Sequence, residues 1–321
     1  MMNRKRWKKE DEGYFVKSYP NLLPDFMNTP VSRFIQMKAL IYTLFISFFL
    51  SGPLFSQEEY IPTESEIKHF AKTRTMMVLE ENPMCEYNLI LNDIVPDEWK
   101  ITPFDFISWK KFETQKTDAS LSFLLMNKVK FEKDKSNANY LFMSLVLGGK
   151  TKSLSDMPDL CSVPLAYFGA KEETYMYKIG IFLRFIQSHI QVITQDPSVA
   201  SKNIFQYYNK NIQKLEGKTL YLIAEELAKD VNTEAKIKKV YSGPFKLVTR
   251  EEIQQAIADR DPDVVFLHKV GPGKRQNNAQ CFKILVGVDD AQFYYFDHHK
   301  ISEKSPDGFL ASDFKKLSRK N

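Results

Sequence analysis

One stretch of this chain occurs twice. Residues 102–129 read TPFDFISWKKFETQKTDASLSFLLMNKV and residues 243–270 read GPFKLVTREEIQQAIADRDPDVVFLHKV, and they align without a gap at a shift of 141. Pro103 meets Pro244, Phe104 meets Phe245, Asp118 meets Asp259, and Lys128-Val129 meets Lys269-Val270. Between the identities the apolar class is kept, with Phe106 against Leu247, Ile107 against Val248, Phe112 against Ile253 and Leu124 against Val265. Upstream, TMMVL from Thr75 corresponds to TLYLI from Thr219 at a shift of 144. The shared positions are apolar, turn or capping residues, so they constrain architecture and leave activity open.

Within each copy the pattern alternates. Phe104 to Ile107 reads as a strand, Ser108 as an N-cap and Trp109 to Lys116 as two helical turns, with Thr249 and Arg250 to Ala258 repeating the cap and helix. Leu121 to Val129, Tyr140 to Leu147, Val264 to Val270, Phe282 to Val288 and Gln292 to Phe296 have strand composition. Residues 87–95 suit a helix or a strand ending at Pro96, and 158–168 read as an irregular link with a short strand from Val163. Met176, Ile179, Leu183, Ile186, Ile190 and Ile193 recur at helical spacing, interrupted by Lys178, Arg184, Gln187 and His189, which predicts a packed helix rather than a membrane span. The expected class is α/β (α+β): two tandem related sandwich domains, each a small mixed sheet ending in a β-hairpin, joined by a helical connector. The first unit is placed at 57–170, the connector at 171–217 and the second unit at 218–321.

The amino terminus carries a different signal. From Met37 the sequence MKALIYTLFISFFLSGPLFSQ has one Lys, an apolar run from Ala39 to Leu50 and a break at Ser51-Gly52-Pro53, which is the layout of a secretory signal peptide over 37–56. The alternative is an uncleaved anchor over residues 39–55, the one route to membrane contact. Residues 1–36 are expected to be a non-native or disordered extension ahead of a start at Met37. The net charge of +5 is concentrated here, because residues 57–321 hold 37 Lys/Arg against 36 Asp/Glu. With a near-neutral mature chain and no interleaving of basic and aromatic residues, nucleic acid is not an expected partner. A periplasmic or extracellular location follows.

Chemistry-bearing residues are sparse. Cys85, Cys161 and Cys281 are far apart and odd in number, compatible with at most one disulfide, and no Cys/His spacing suits zinc. His298 and His299 are adjacent on a strand, so their rings point to opposite sides, and no metal or cofactor is expected. The run CFKILVGVDDAQFYYFD superficially resembles the strand pair of papain-like bacterial peptidases, but Cys281 stands where the catalytic His would be. No GxSxG elbow or phosphate loop is present. The interaction candidates are Lys274 and Arg275, after Gly271-Pro272-Gly273, together with Tyr294, His298 and His299.

The Phe-Ser-Gln signal end, FYYFDHHKIS and the closing DFKKL resemble patterns of uncharacterised exported proteins of Bacteroidota type. The resemblance implies compartment and fold, and no catalytic motif. The functional expectation is a non-catalytic binding or structural module of the cell envelope, with an envelope protein or a glycan as partner. Its alternative is a hydrolase-type enzyme whose site is assembled between the two domains.

Overall fold

The computed structural model describes residues 61–318 except 132–135, 152, 202–203 and 274–275. The signal segment, the upstream extension, Lys274 and Arg275 lie outside the described residues.

The first half runs α1 (Glu64–Phe70), β1 (Arg74–Leu79), α2 (Glu86–Glu98), β2 (Phe104–Ser108), α3 (Trp109–Gln115), β3 (Leu121–Lys130), β4 (Asn139–Leu147) and β5 (Asp159–Tyr167). Local chemistry sets its boundaries. Thr63 and Glu66 form a reciprocal capping box at α1, and Ser108 Oγ accepts from Lys111 N at the start of α3. Residues 87–95 are helical, and Pro96 sits in the last turn of α2, where few further amide bonds are lost. The sheet order is β2-β1-β3-β4-β5, with β1 parallel to β2 and β3, and β3, β4 and β5 antiparallel. The link expected at 158–168 is therefore a full strand, because its alternating apolar residues pair along β4.

Next come α4 (Ile179–Gln195), entered through a 3-10 turn at Met176–Lys178, then α5 (Ser198–Ser201) and α6 (Ile204–Tyr208). Beyond α4 the connector is thus split, its last part being a 3-10 helix at Asn209–Leu215. Among the described residues no helix is long and apolar enough to cross a membrane.

The second half runs β6 (Thr219–Leu222), α7 (Glu234–Ile237), β7 (Phe245–Leu247), α8 (Arg250–Asp259), β8 (Val264–Val270), β9 (Gln280–Gly287), β10 (Phe293–Lys300) and α9 (Ala311–Leu317). Its sheet, β7-β6-β8-β9-β10, has the order and strand directions of the first. The architecture is α/β, with two similar mixed five-stranded sheets and no closed barrel.

Register refines the duplication. Phe104 lies opposite Thr75, and Phe245 lies opposite Leu220. Superposing Phe104 on Phe245, at 141, therefore places Thr75 on Leu220, at 145 instead of 144. Ser122 and Val265, the β3 and β8 partners of Thr75 and Leu220, correspond at 143 instead of 141. The ungapped alignment holds from β2 through the helix caps and fails beyond, where α8 has 10 residues against 7 in α3. A slip of two keeps every side chain on its face, so the apolar pattern conceals it.

Both halves share one buried cluster. Met77 and Leu124 face it, whereas Met76, Val78, Phe123 and Leu125 point to the far side of the first sheet, over α3. At the equivalent positions of the second sheet, Leu222 and Leu267 face away from the shared cluster, toward α7 and α9, while α8 packs into it. The copies therefore stack front to back instead of face to face. Helix α4 lies in the join: Arg184 donates to the carbonyls of Val288 at 2.8 Å and Asp289 at 2.6 Å, and Gln187 bonds Glu98 O and Lys100 N at 2.9 and 2.8 Å. Phe185 stacks on Phe293, and Phe282 packs among Phe131, Tyr140 and Phe142. Tyr140 Oη donates to Gln280 O at 3.0 Å and accepts from Gln280 N at 2.7 Å.

Candidate functional site

In a sheet of this order the parallel strands β6 and β8 leave their carboxyl ends in different directions, and ligands of open α/β sheets bind in the crevice so formed. Beyond β6 the chain makes a 3-10 turn, Ala224–Glu226, which sets Glu226 at that end. Its backbone is clamped, since Phe309 N donates to Glu226 O at 2.9 Å and Ala228 N to Phe309 O at 3.0 Å. Gly308 permits this approach: its φ is +143° and a Cβ there would lie 2.8 Å from Ala228 N.

Four further groups converge on Glu226. Arg250 opens α8 behind the Thr249 cap, whose box with Glu252 reproduces the expected cap position. Lys269 ends β8 and is held by Asp307 Oδ2 at 2.8 Å. Tyr177 and Lys178 come from the turn that opens α4, so the helical connector supplies two of the groups. Lys178 is only 1% exposed. Its Nζ finds one acceptor among the described residues, His268 Nδ1 at 3.3 Å, and lies 5.9 Å from the centre of the Phe266 ring. His268 Nε2 donates to Pro164 O at 2.9 Å, which fixes the tautomer and leaves Nδ1 as the acceptor.

Hydrogen-bonding capacity is left over at this point. Glu226 Oε2 and the Tyr177 hydroxyl are buried without a hydrogen-bond partner. Arg250, its side chain 34% exposed, reaches Glu173 at 4.0 Å and no other acid among the described residues. Burial raises the Glu226 carboxyl above its ordinary range, against the pull of Lys178, Lys269 and Arg250. Burial lowers Lys178 despite the opposing field of Glu226, and holds His268 well below the ordinary imidazole value, with Lys178 adding to the effect. Glu226 Oε2 and the Tyr177 hydroxyl thus keep unspent hydrogen-bonding capacity within the electrostatic reach of Lys178 and Arg250, and where such groups are desolvated polar contacts are strong.

The register also shows that this acid is duplicated. At the shift of 145, Glu80-Glu81 beyond β1 corresponds to Glu225-Glu226 beyond β6. The counterpart of Glu226 is Glu81, which is exposed, whereas Glu226 Oε2 is buried. The copies share the glutamates and differ in how far they are buried.

The residues singled out from sequence fall elsewhere. Tyr294 is buried, its hydroxyl donating to Asp290 Oδ2 at 2.7 Å. Strand β10 is a sheet edge but a covered one. Asn209 accepts from Phe296 N at 2.7 Å and donates to its carbonyl at 3.1 Å, and Asn211 donates to Phe293 O at 2.9 Å. His298 lies opposite Phe282 and packs near the Phe205 ring, while His299 lies opposite Cys281 and bonds Pro306 O at 2.9 Å. Cys281 and His299 share a face, but the thiol is buried and pushed up to about 12, by burial first and then by Asp307. Cys85, Cys161 and Cys281 are all free thiols. No group of three or more His, Cys, Asp or Glu among the described residues is placed to hold a metal ion.

A second charged cluster is closed on itself. Lys283 Nζ donates to both oxygens of Asp313 at 2.7 and 2.8 Å, Leu310 N donates to Asp313 Oδ2 at 2.8 Å, and the Tyr295 hydroxyl is shared between Asp313 and Asp297. It fastens α9 to the second sheet and has no oxygen of Asp313 to spare. Comparison with known proteins finds no family model, no curated protein and no solved structure that matches this chain.

Proposed function

We propose that the chain is an exported component of the cell envelope that binds a partner, a protein or a glycan, without catalysing a reaction on it. The reading is carried by the cluster of Tyr177, Lys178, Glu226 and Arg250 at the carboxyl ends of the parallel strands, which has donors and acceptors to offer. Its imidazole is neutral with both nitrogens engaged, so it is not free to act as a base on a hydroxyl or thiol. That is chemistry for holding a polar group. The basic, apolar amino-terminal segment supports export. The test is a pull-down with tagged mature protein, residues 57–321, from envelope extract, followed by incubation with what it recovers. Recovery of an unaltered partner is expected, and failure to recover one together with turnover of an envelope component would overturn the reading.

One observation favours a hydrolase as the second reading, namely the opposition of Cys281 and His299 across β9 and β10. On that reading Cys281→Ala abolishes turnover. On ours it leaves partner recovery unchanged.

A further inference from the structure

The cluster at the β6 and β8 ends is mismatched within itself in a way that specifies a ligand. Lys178 is buried with one long contact, to His268 Nδ1 at 3.3 Å, so two of its three ammonium protons meet no acceptor among the described residues. Glu226 Oε2 is buried without a partner and lies beyond ion-pair distance of Lys178, Lys269 and Arg250, although their fields act on it. Buried charges of opposite sign are stable when each is hydrogen-bonded, and here neither completes the other. Arg250 adds a fork suited to a carboxylate, and the Tyr177 hydroxyl adds one more unmet polar group. What satisfies all four is a molecule carrying both signs a few bonds apart.

Resting on the binding-module reading above, we propose that Tyr177, Lys178, Glu226 and Arg250 form a binding site for a small zwitterion of the α-amino-acid or dipeptide class. Its carboxylate meets Lys178 and Arg250, and its ammonium meets Glu226. Lys269 is already committed to Asp307 and takes no part. The first half, where the equivalent Glu81 is exposed, is not such a site.

The experiment is calorimetric titration of the mature chain, residues 57–321, with glycine, glycylglycine, acetate and methylammonium at neutral pH and low salt. The zwitterions are expected to bind at least tenfold more tightly than either single ion. Arg250→Gln, at a partly exposed side chain, and the isosteric Glu226→Gln should each weaken glycine binding by tenfold or more. Their far-ultraviolet circular dichroism and thermal midpoints report whether the fold is kept, and Arg250→Gln serves if Glu226→Gln fails to fold. Acetate binding as tightly as glycine overturns the proposal, because the site is then an anion site. Absence of heat with all four probes, or glycine binding unchanged in both variants, overturns it as well. The same variants are then used in the envelope pull-down. A partner recovered equally by wild type and both variants, with no zwitterion bound, removes this inference and leaves the binding reading standing, whereas no partner and no ligand removes both.

Discussion

His189 shows how a single buried side chain sets the response to pH. It lies on α4 with Nδ1 2.7 Å from the Tyr208 hydroxyl, and burial lowers it from 6.5 to about 4. A depressed imidazole contributes stability that is fully present above its unfolded value and is lost as pH falls through the folded value. At about 1.4 kcal/mol for each pH unit of displacement, His189 accounts for about 3 kcal/mol. The chain should therefore lose stability between pH 6.5 and 4, and His189→Gln should flatten that slope in urea titrations. Tyr140 provides a second test. Removing its hydroxyl in Tyr140→Phe strands the buried amide and carbonyl of Gln280, and should cost about 1–3 kcal/mol in chemical denaturation. A loss below about 0.5 kcal/mol would mean that this bridge between the halves contributes little.

At the scale of elements, the caps were legible in the sequence and the site was not. Ser108 and Thr249 announce their helices because a hydroxyl before a polar helical turn has one economical use. Replacing Thr249 by Ala removes a full capping box and should cost about 1 kcal/mol. The loss from Ser108→Ala should be smaller, since its bond to Lys111 N is 3.4 Å and has no reciprocal partner; equal losses in thermal melts would refute the comparison. The glutamate repeat was hidden by the one-residue slip, which set Glu80-Glu81 against Ala224-Glu225. Only strand pairing, a contact distant in sequence, fixes the true register. The polar interruptions of the α4 stripe argue against a membrane span, yet Lys178, Gln187 and His189 are buried and bonded. The spacing gave no such signal, because Lys178 and His189 lie about 100° around the helix from Ile179 and Ile190, off the centre of the apolar stripe.

Across the whole described molecule, the front-to-back stack makes each half the cover of the other. Met77, Leu124 and α2 on one side, and Val264, Phe266 and α8 on the other, belong to one buried cluster with α4 between them. Such halves should not unfold separately: calorimetric and van't Hoff enthalpies of the mature chain should agree, and two resolved transitions would contradict the shared core. The connector's Tyr177 and Lys178 reach the strand ends of the second sheet, so the proposed cluster exists only when the connector is docked on that sheet. The most direct test is hydrogen–deuterium exchange of the mature chain, with and without the partner recovered from envelope extract. Slower exchange is expected in peptides spanning 176–179, 223–228 and 249–253. Protection confined to other segments, with these three unchanged, would contradict the placement of the site.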